Sequence, residues 1–178
     1  MQSKAPTAAG EERRPAVILA VYSWDMLLAL LALLGALAAF GGQATVGDRT
    51  VTVSLGEQIL AAVESASFAA LLIILATLLT RRQRWVRRAQ MVTLATAIAL
   101  GAASLLVAAL VPGQGLQLAS ALTALLVLLL DAVAIVALTG PRVVAWYNTG
   151  SGIPRYISGT LGFWALSGTV LILLQAFR

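Results

Sequence analysis

The chain has 178 residues, of which 60% are hydrophobic and only 11% are charged, and its mean hydropathy is +0.94. Soluble domains are about 45–50% apolar and about 25% charged, so this composition predicts a protein that crosses a membrane several times. The absence of cysteine and histidine excludes disulfides, thiolate metal sites, Cys- or His-dependent nucleophilic catalysis and His-ligated haem or chlorophyll, and we expect no cofactor. The net charge of +5 comes mainly from bases at the ends of apolar runs, where membrane topology places them, so we expect no nucleic-acid partner.

The amino-terminal segment, residues 1–15, is polar and of mixed charge. We interpret it as a cytoplasmic tail ahead of a single transmembrane helical domain, residues 16–178. The first predicted span, 16–40, contains one charged residue, Asp25. An apolar run of this length exceeds the core of a signal peptide, which has about 7–15 residues, so we expect the span to be retained and not cleaved.

The loop after the first span reads GGQATVGDRTVTVSLGEQ. Its β-branched residues flank a two-residue Gly47-Asp48 turn, a pattern that is typical of a short β-hairpin. Ser54 and Glu57 follow with the spacing of a capping box, in which each side chain pairs with the backbone N–H of the other residue at the start of a helix. The second predicted span therefore comes directly after this loop, at 58–80.

A run of arginines, RRQRWVRR at 81–88, follows the second span and is the strongest topology signal in the chain. Because basic loops stay on the cytoplasmic side, we predict a cytoplasmic loop that contacts anionic lipid headgroups. The alternative is a specific site for an anionic lipid or a partner protein. Trp85 fits the aromatic belt at the membrane surface. The predicted anchor and topology residues are Arg81, Arg82, Arg84, Trp85, Arg87 and Arg88.

The third and fourth predicted spans are 89–111 and 116–139, separated by a tight Pro112-Gly113 turn. The last apolar stretch, 160–176, has about 17 residues, which is the lower limit for crossing a bilayer core. It either crosses or lies partly in the interface, and we expect it to cross. The sequence thus predicts an all-α integral membrane protein, a bundle of about five transmembrane helices with a short β-hairpin-like loop between the first two. Its amino terminus is predicted inside and its carboxyl terminus outside.

Small residues mark the faces on which the spans are expected to pack, because helices in lipid associate through close backbone contact. The third span has such residues at every third or fourth position, and the fifth has them at every third position. The predicted packing positions are Thr93, Ala97, Gly101, Gly159 and Gly162.

Three acids, Asp25, Glu64 and Asp131, are the charged residues deep inside the predicted spans. An ionised acid at the bilayer centre costs about 2.5–3.5 kcal/mol on insertion scales, so these side chains should face the protein interior. With a rise of about 1.5 Å per residue, Asp25 and Asp131 both lie roughly 14 Å from the cytoplasmic edge, and Glu64 lies about 24 Å from it. The two aspartates can therefore meet if the first and fourth spans are neighbours, whereas Glu64 needs a relay through Ser65 or Ser67.

Two interpretations of these acids are open from the sequence. In the first, they form a proton or cation pathway, since intramembrane carboxylates are common relay groups. In the second, each is a neutral acid or a structural pin, hydrogen-bonded to Tyr22, Ser23, a backbone carbonyl or a partner subunit. No lysine or arginine lies inside a predicted span to act as a counter-charge, which favours the second interpretation.

The favoured function is a non-catalytic accessory or assembly subunit of a larger complex in the bacterial plasma (inner) membrane. Its expected partners are the lipid bilayer and other membrane subunits, with a homo-oligomer as a further possibility. The alternative function is a proton- or cation-coupled transporter or channel that uses the three acids. We do not expect an enzyme, because neither SWDMLL nor LLLDAVAI, the stretches around the two aspartates, contains a catalytic motif.

Overall fold

The structure, a computed structural model, describes residues 15–46, 49–110, 118–150 and 152–177. The predicted tail before Pro15 lies outside these residues, as do the Gly47-Asp48 and Pro112-Gly113 turns. Within the described residues, five helices are long and apolar enough to cross a membrane. The structure therefore confirms a helical membrane protein with five candidate spans.

The helices follow the predicted spans closely. They are α1 (Ala16–Ala38), α2 (Leu55–Leu79), α3 (Arg84–Leu110), α4 (Leu118–Thr139), the short α5 (Pro141–Trp146) and α6 (Arg155–Ala176). A 3₁₀ turn, Ala39–Gly41, extends α1. Each long helix has at least 22 residues, which at about 1.5 Å per residue is enough to cross a hydrocarbon core of about 30 Å.

Two of the spans begin five residues earlier than predicted. α3 begins at Arg84 and not at residue 89, because arginine is a good helix former and no helix breaker follows it. α6 begins directly after Pro154, whose backbone conformation suits the start of a helix. The last span therefore has 22 residues, longer than the predicted 160–176.

The connection between α1 and α2 contains two four-residue strands, β1 (Gln43–Val46) and β2 (Arg49–Thr52). They pair antiparallel, with Gln43 opposite Thr52 and Val46 opposite Arg49.

The capping box predicted at the start of α2 is confirmed. The Glu57 N–H donates to Ser54 Oγ at 3.4 Å, and the Ser54 N–H donates to Glu57 Oε2 at 3.0 Å. Both bonds satisfy backbone donors that the first turn of a helix leaves unpaired. Glu57 thus has the structural role that its spacing predicts.

The five long helices form a ring. α2 lies between α1 and α6, α3 lies between α6 and α4, and α4 contacts α1 to close the ring. Contacts between α2 and α3 add a further link. This order makes the first and fourth spans neighbours, which is the condition under which Asp25 and Asp131 can meet.

One end of the ring, which we call the arginine end, holds the start of α1, the α2–α3 connection and the segment from the end of α4 to the start of α6. Backbone hydrogen bonds join the α2–α3 connection to the α4–α6 segment. The Thr149 N–H donates to the Arg82 carbonyl at 3.1 Å, and the Arg84 N–H donates to the Thr149 carbonyl at 2.7 Å. The Tyr147 hydroxyl also donates to the Leu79 carbonyl at 2.8 Å. The α4–α6 segment is therefore fixed against the end of α2.

Apolar side chains fill the ring between the arginine end and the level of the aspartates. We call this set the apolar layer, and each member is at most 3% exposed. It consists of Ile18, Val21, Leu75, Leu79, Val86, Leu138 and Ile157. The core of the bundle is thus concentrated in the half nearest the arginine end.

Candidate functional site

Asp25 of α1 pairs with Gln90 of α3. Gln90 Nε2 donates to Asp25 Oδ1 at 2.8 Å, and both side chains are fully buried. Asp25 Oδ2 and Gln90 Oε1 are buried acceptors that have no hydrogen-bond partner within the described chain. The pair therefore joins two helices while leaving two acceptor atoms without a donor.

Asp131 of α4 lies beside this pair. The indole Nε1 of Trp24, the neighbour of Asp25 on α1, donates to Asp131 Oδ1 at 2.8 Å. Asp131 is only 2% exposed and is close enough to Asp25 for their charges to interact. The structure thus brings together the two aspartates whose matching depths were calculated from the sequence.

Glu64 of α2 has separate partners. The indole Nε1 of Trp164 on α6 donates to Glu64 Oε1 at 2.7 Å, and Ser65 Oγ donates to Oε2 at 3.2 Å. The Trp164 ring stacks on Phe68, with centroids 4.5 Å apart and an angle of 12° between the planes. Ser65 is one of the two hydroxyls expected beside Glu64, but Trp164 provides the bond between helices.

A cavity of about 440 Å³ connects the surroundings of Glu64 and Asp131. All five long helices contribute to its wall, so it occupies the interior of the ring beyond the apolar layer. The wall is mostly apolar, and its other polar side chains include Ser104 and Gln175. Two of the three acids therefore open onto one space, whereas Asp25 is not part of the wall.

The small residues of α3 have mixed roles. Thr93 is fully buried and its hydroxyl donates to the Ala89 carbonyl at 2.9 Å. Ala97 and Gly101 line the cavity, and a Cβ atom on Gly101 would lie 2.8 Å from the Leu128 side chain. Gly101 is therefore a site of close approach between α3 and α4.

Gly159 and Gly162 of α6, predicted as packing positions, do not pack against another described helix of this chain. Both are exposed, and a Cβ atom at either position would meet no described atom within 4 Å. On a helix of 3.6 residues per turn, three residues turn about 300°, which is about 60° short of a full turn. Residues spaced three apart therefore drift around the helix, and after nine residues they lie on the opposite face. Gly168, nine residues after Gly159, is the buried member and faces Leu100 and Glu64.

The arginine run is divided between the connection and the first turns of α3. The side chains of Arg81, Arg82, Arg84 and Arg88 are exposed, as an anchor at the membrane surface requires. Arg87 is partly buried and donates to the Leu138 carbonyl at 3.2 Å, so it also holds α3 to the end of α4.

Trp85, predicted to belong to the aromatic belt at the membrane surface, packs against the protein and not outwards. Its side chain is 7% exposed and belongs to the core cluster. Because α3 begins at Arg84, Trp85 falls on the same helix face as Ala89 and Thr93, which are buried four and eight residues later.

Sequence reasoning missed the three donors that reach the acids from another helix, Gln90, Trp24 and Trp164. One signal was available, since a buried carboxylate needs donors, and amide and indole N–H groups inside a span are, with hydroxyl groups, side chains able to supply them. The sequence could not show which donor reaches which acid, because that depends on the order of helices in the ring.

The three carboxyl groups can each take up or release a proton. Within the described chain, no group of three acidic side chains comes together in a way that could hold a metal ion. No family model, curated protein or solved structure matches the chain.

Proposed function

We propose that the chain is a non-catalytic accessory or assembly subunit of a larger complex in the bacterial plasma membrane. The observation that carries this proposal is that each of the three intramembrane acids accepts a hydrogen bond from a side chain on a different helix. The bonds link α1 to α3, α1 to α4 and α2 to α6, so every span takes part in at least one. Acids engaged in this way support the interpretation that they are structural pins.

The apolar layer supports the same proposal. A proton or cation pathway needs polar groups or water on both sides of the relay acids. Here the space between the aspartates and the arginine end is filled by side chains such as Leu75, Leu79 and Leu138, which are fully buried. A pathway through the ring would require these side chains to move apart.

The distribution of arginine supports a cytoplasmic arginine end. Among the described residues, seven arginines lie at the arginine end, and one, Arg49, lies near the other end. Because cytoplasmic loops carry the excess of basic residues, the start of α1 is assigned to the cytoplasm and the β1–β2 segment to the other side.

The exposed small-residue face of α6 is the surface that we assign to a partner helix. Gly159 and Gly162 leave the backbone uncovered, and close backbone approach is what drives helix association in lipid. A matched test uses the double substitution Gly159→Leu and Gly162→Leu, with the double substitution Ala66→Leu and Ala70→Leu on the exposed face of α2 as the control.

The experiment is purification from the native membrane in a gentle detergent, followed by mass spectrometry of the proteins that co-purify. We expect larger membrane subunits in stoichiometric amounts with the native chain and the control, and a loss of these subunits with the double variant. Recovery of a homo-oligomer alone would contradict the accessory role.

A proton- or cation-coupled transporter is the second candidate, and the cavity is the observation that favours it. Glu64 and Asp131 share this space inside the ring, and carboxyl groups in an intramembrane cavity commonly mark an ion pathway. The test is pH-dependent ion flux in liposomes that contain the native chain or its Asp131→Asn variant. Asparagine keeps an oxygen that can accept from Trp24, so the variant should fold. Flux that is present in the native chain and lost in the variant would favour transport over the accessory role.

A further inference from the structure

The interior cavity of about 440 Å³ has a wall that combines two carboxyl groups with a mostly apolar surface. Glu64 of α2 and Asp131 of α4 supply the carboxyl groups, and side chains such as Leu100 and Leu128 supply much of the rest. Binding sites for small organic molecules have this character, with volumes of about 300–1,000 Å³, apolar walls and a few polar groups that fix the orientation. The cavity is therefore suited to a small organic ligand.

Asp131 has one oxygen that is free to meet such a ligand. Its side chain is only 2% exposed, and its Oδ1 accepts the hydrogen bond from the Trp24 indole. No described residue donates to its Oδ2, and this atom, unlike Asp25 Oδ2, is not sealed from the open space. A buried carboxylate oxygen without a donor is unfavourable. A donor or a positive charge inside the cavity would therefore be stabilised by Asp131 Oδ2.

Glu64 lies beside a pair of aromatic rings in the same wall. Phe68 and Trp164 stack with their centroids 4.5 Å apart, and both side chains line the cavity. The two Glu64 oxygens accept one bond each, from Trp164 and Ser65, whereas a carboxylate can accept about four. Glu64 thus keeps acceptor capacity, and aromatic rings next to it add a surface that attracts organic cations.

The charge of the wall decides the kind of ligand. Among the described residues that line the cavity, none is basic, so an ionised Glu64 or Asp131 has no counter-charge there. A charge in a low-dielectric interior is costly unless it is paired. A metal ion is a poor match, because Ca²⁺ takes about 6–8 oxygen ligands and no three acidic side chains of the described chain meet in a way that could hold one. An organic cation provides both the positive charge and an apolar body for the rest of the wall.

We propose that this cavity binds a small monovalent organic cation, an amine or quaternary ammonium group on an apolar body. Its positive charge lies against the carboxyl groups of Asp131 and Glu64, and its apolar body lies against the leucines and the Phe68–Trp164 pair. The proposal goes beyond both functions above, since a subunit and a transporter can each bind such a ligand.

The test measures the binding of two probes to the full chain in a neutral detergent, by isothermal titration calorimetry. Benzyltrimethylammonium is permanently charged, and benzyldimethylamine N-oxide is a probe of the same size without net charge. The variants are Asp131→Asn and Glu64→Gln, which keep the oxygens that accept from Trp24 and Trp164. Glu57→Gln is the matched control, because Glu57 is on the same helix as Glu64 but is not part of the wall, and glutamine also suits a capping box.

We expect the ammonium probe to bind at least about tenfold more tightly than the N-oxide, because an interaction with a charged group is worth about 1.4 kcal/mol or more. Asp131→Asn and Glu64→Gln should each raise the Kd of the ammonium probe about 10- to 100-fold. The control should change this Kd by less than about twofold, since a charge outside the cavity contributes little. The Kd of the N-oxide should differ little among the native chain and the three variants.

Four results would overturn the proposal. They are the absence of binding, equal binding of the two probes, and equal effects of the wall variants and Glu57→Gln. The fourth is displacement of the ammonium probe by millimolar Na⁺ but not by N-methylglucamine at the same ionic strength, which would identify an inorganic cation site. If one wall variant does not fold, the other variant and the pair of probes still decide the question. Co-purification of partner subunits is a separate result, so failure of the accessory role is distinguishable from failure of this proposal.

Discussion

Replacement of Asp25 by asparagine tests how the buried pair between α1 and α3 is stabilised. In the native pair, Gln90 donates one hydrogen bond to Asp25, while Asp25 Oδ2 and Gln90 Oε1 have no donor. Asparagine keeps one acceptor oxygen and replaces the other with an NH₂ group, which can be directed towards Gln90 Oε1. When Asp25 is ionised, the substitution also removes a charge that a charged Asp131 would repel. We therefore expect Asp25→Asn to stabilise the protein.

The size of the effect follows from the number of unpaired atoms. An unpaired buried polar group costs about 1–3 kcal/mol in soluble proteins. Hydrogen bonds between membrane helices average about 0.6 kcal/mol and reach about 1.7, because the unfolded chain in the membrane also finds partners. We expect Asp25→Asn to raise the free energy of unfolding by about 0.6–1.7 kcal/mol, and Asp25→Leu, which leaves the Gln90 amide without its acceptor, to lower it by about 1–3 kcal/mol.

Thermal unfolding in one detergent at mildly alkaline pH measures both variants. For a chain of 150–250 residues, 1 kcal/mol corresponds to about 2–4 °C in Tm, so Asp25→Asn should raise Tm by about 1–7 °C. Ser23→Asn is the control on the exposed face of the same helix and should change the free energy by less than about 0.5 kcal/mol. The advantage of asparagine should shrink as the pH is lowered, because a protonated Asp25 has an O–H donor of its own.

The reasoning is refuted if Asp25→Asn destabilises the protein as much as Asp25→Leu does. That result would mean that the charge of Asp25 is itself required, and hence that a cation or a base from a partner binds it. A bound cation would favour the transport candidate, whereas a base from a partner would favour the accessory role.

Two further predictions use the same unfolding assay. Trp164→Phe removes the indole donor to Glu64 but keeps an aromatic ring, so it should lower the free energy of unfolding by about 0.6–1.7 kcal/mol. Trp164→Ala also removes the ring and should lower it by about 3–5 kcal/mol. Equal losses for the two variants would contradict the importance of ring packing. Gly162→Ala should stabilise α6 by about 0.5–1 kcal/mol, because the added Cβ meets no described atom. Gly101→Ala should be less stable than Gly162→Ala, because its Cβ would lie 2.8 Å from the Leu128 side chain. The reverse order of stability would contradict the close contact of α3 with α4.

The amino-acid sequence determined the number and approximate positions of the spans. In lipid, each helix must satisfy its own backbone hydrogen bonds, so a long apolar run is enough to predict one. The capping box of Ser54 and Glu57 was also predictable, because both partners lie within one turn of α2. Features of this kind depend only on residues that are near each other in the chain.

The depth of the acids was predictable for the same reason. The helical rise converts residue number into distance along a span, and the structure places Asp25 and Asp131 close enough for their charges to interact. The rotation of a helix about its own axis was not predictable in the same way. Trp85 was assigned to the membrane surface and is buried in the core, whereas Gly159 and Gly162 were assigned to contacts and are exposed.

Only the tertiary structure decided which groups meet across the ring. Gln90, Trp24 and Trp164 are the donors to the three acids, and each bond joins residues at least 65 positions apart in the chain. Every span in this protein is apolar on most of its surface, so many helix orders bury similar areas and the hydropathy pattern does not distinguish among them. The order is set by contacts between specific side chains, such as a buried carboxylate and the N–H group that reaches it, and these contacts exist only once the helices are in place.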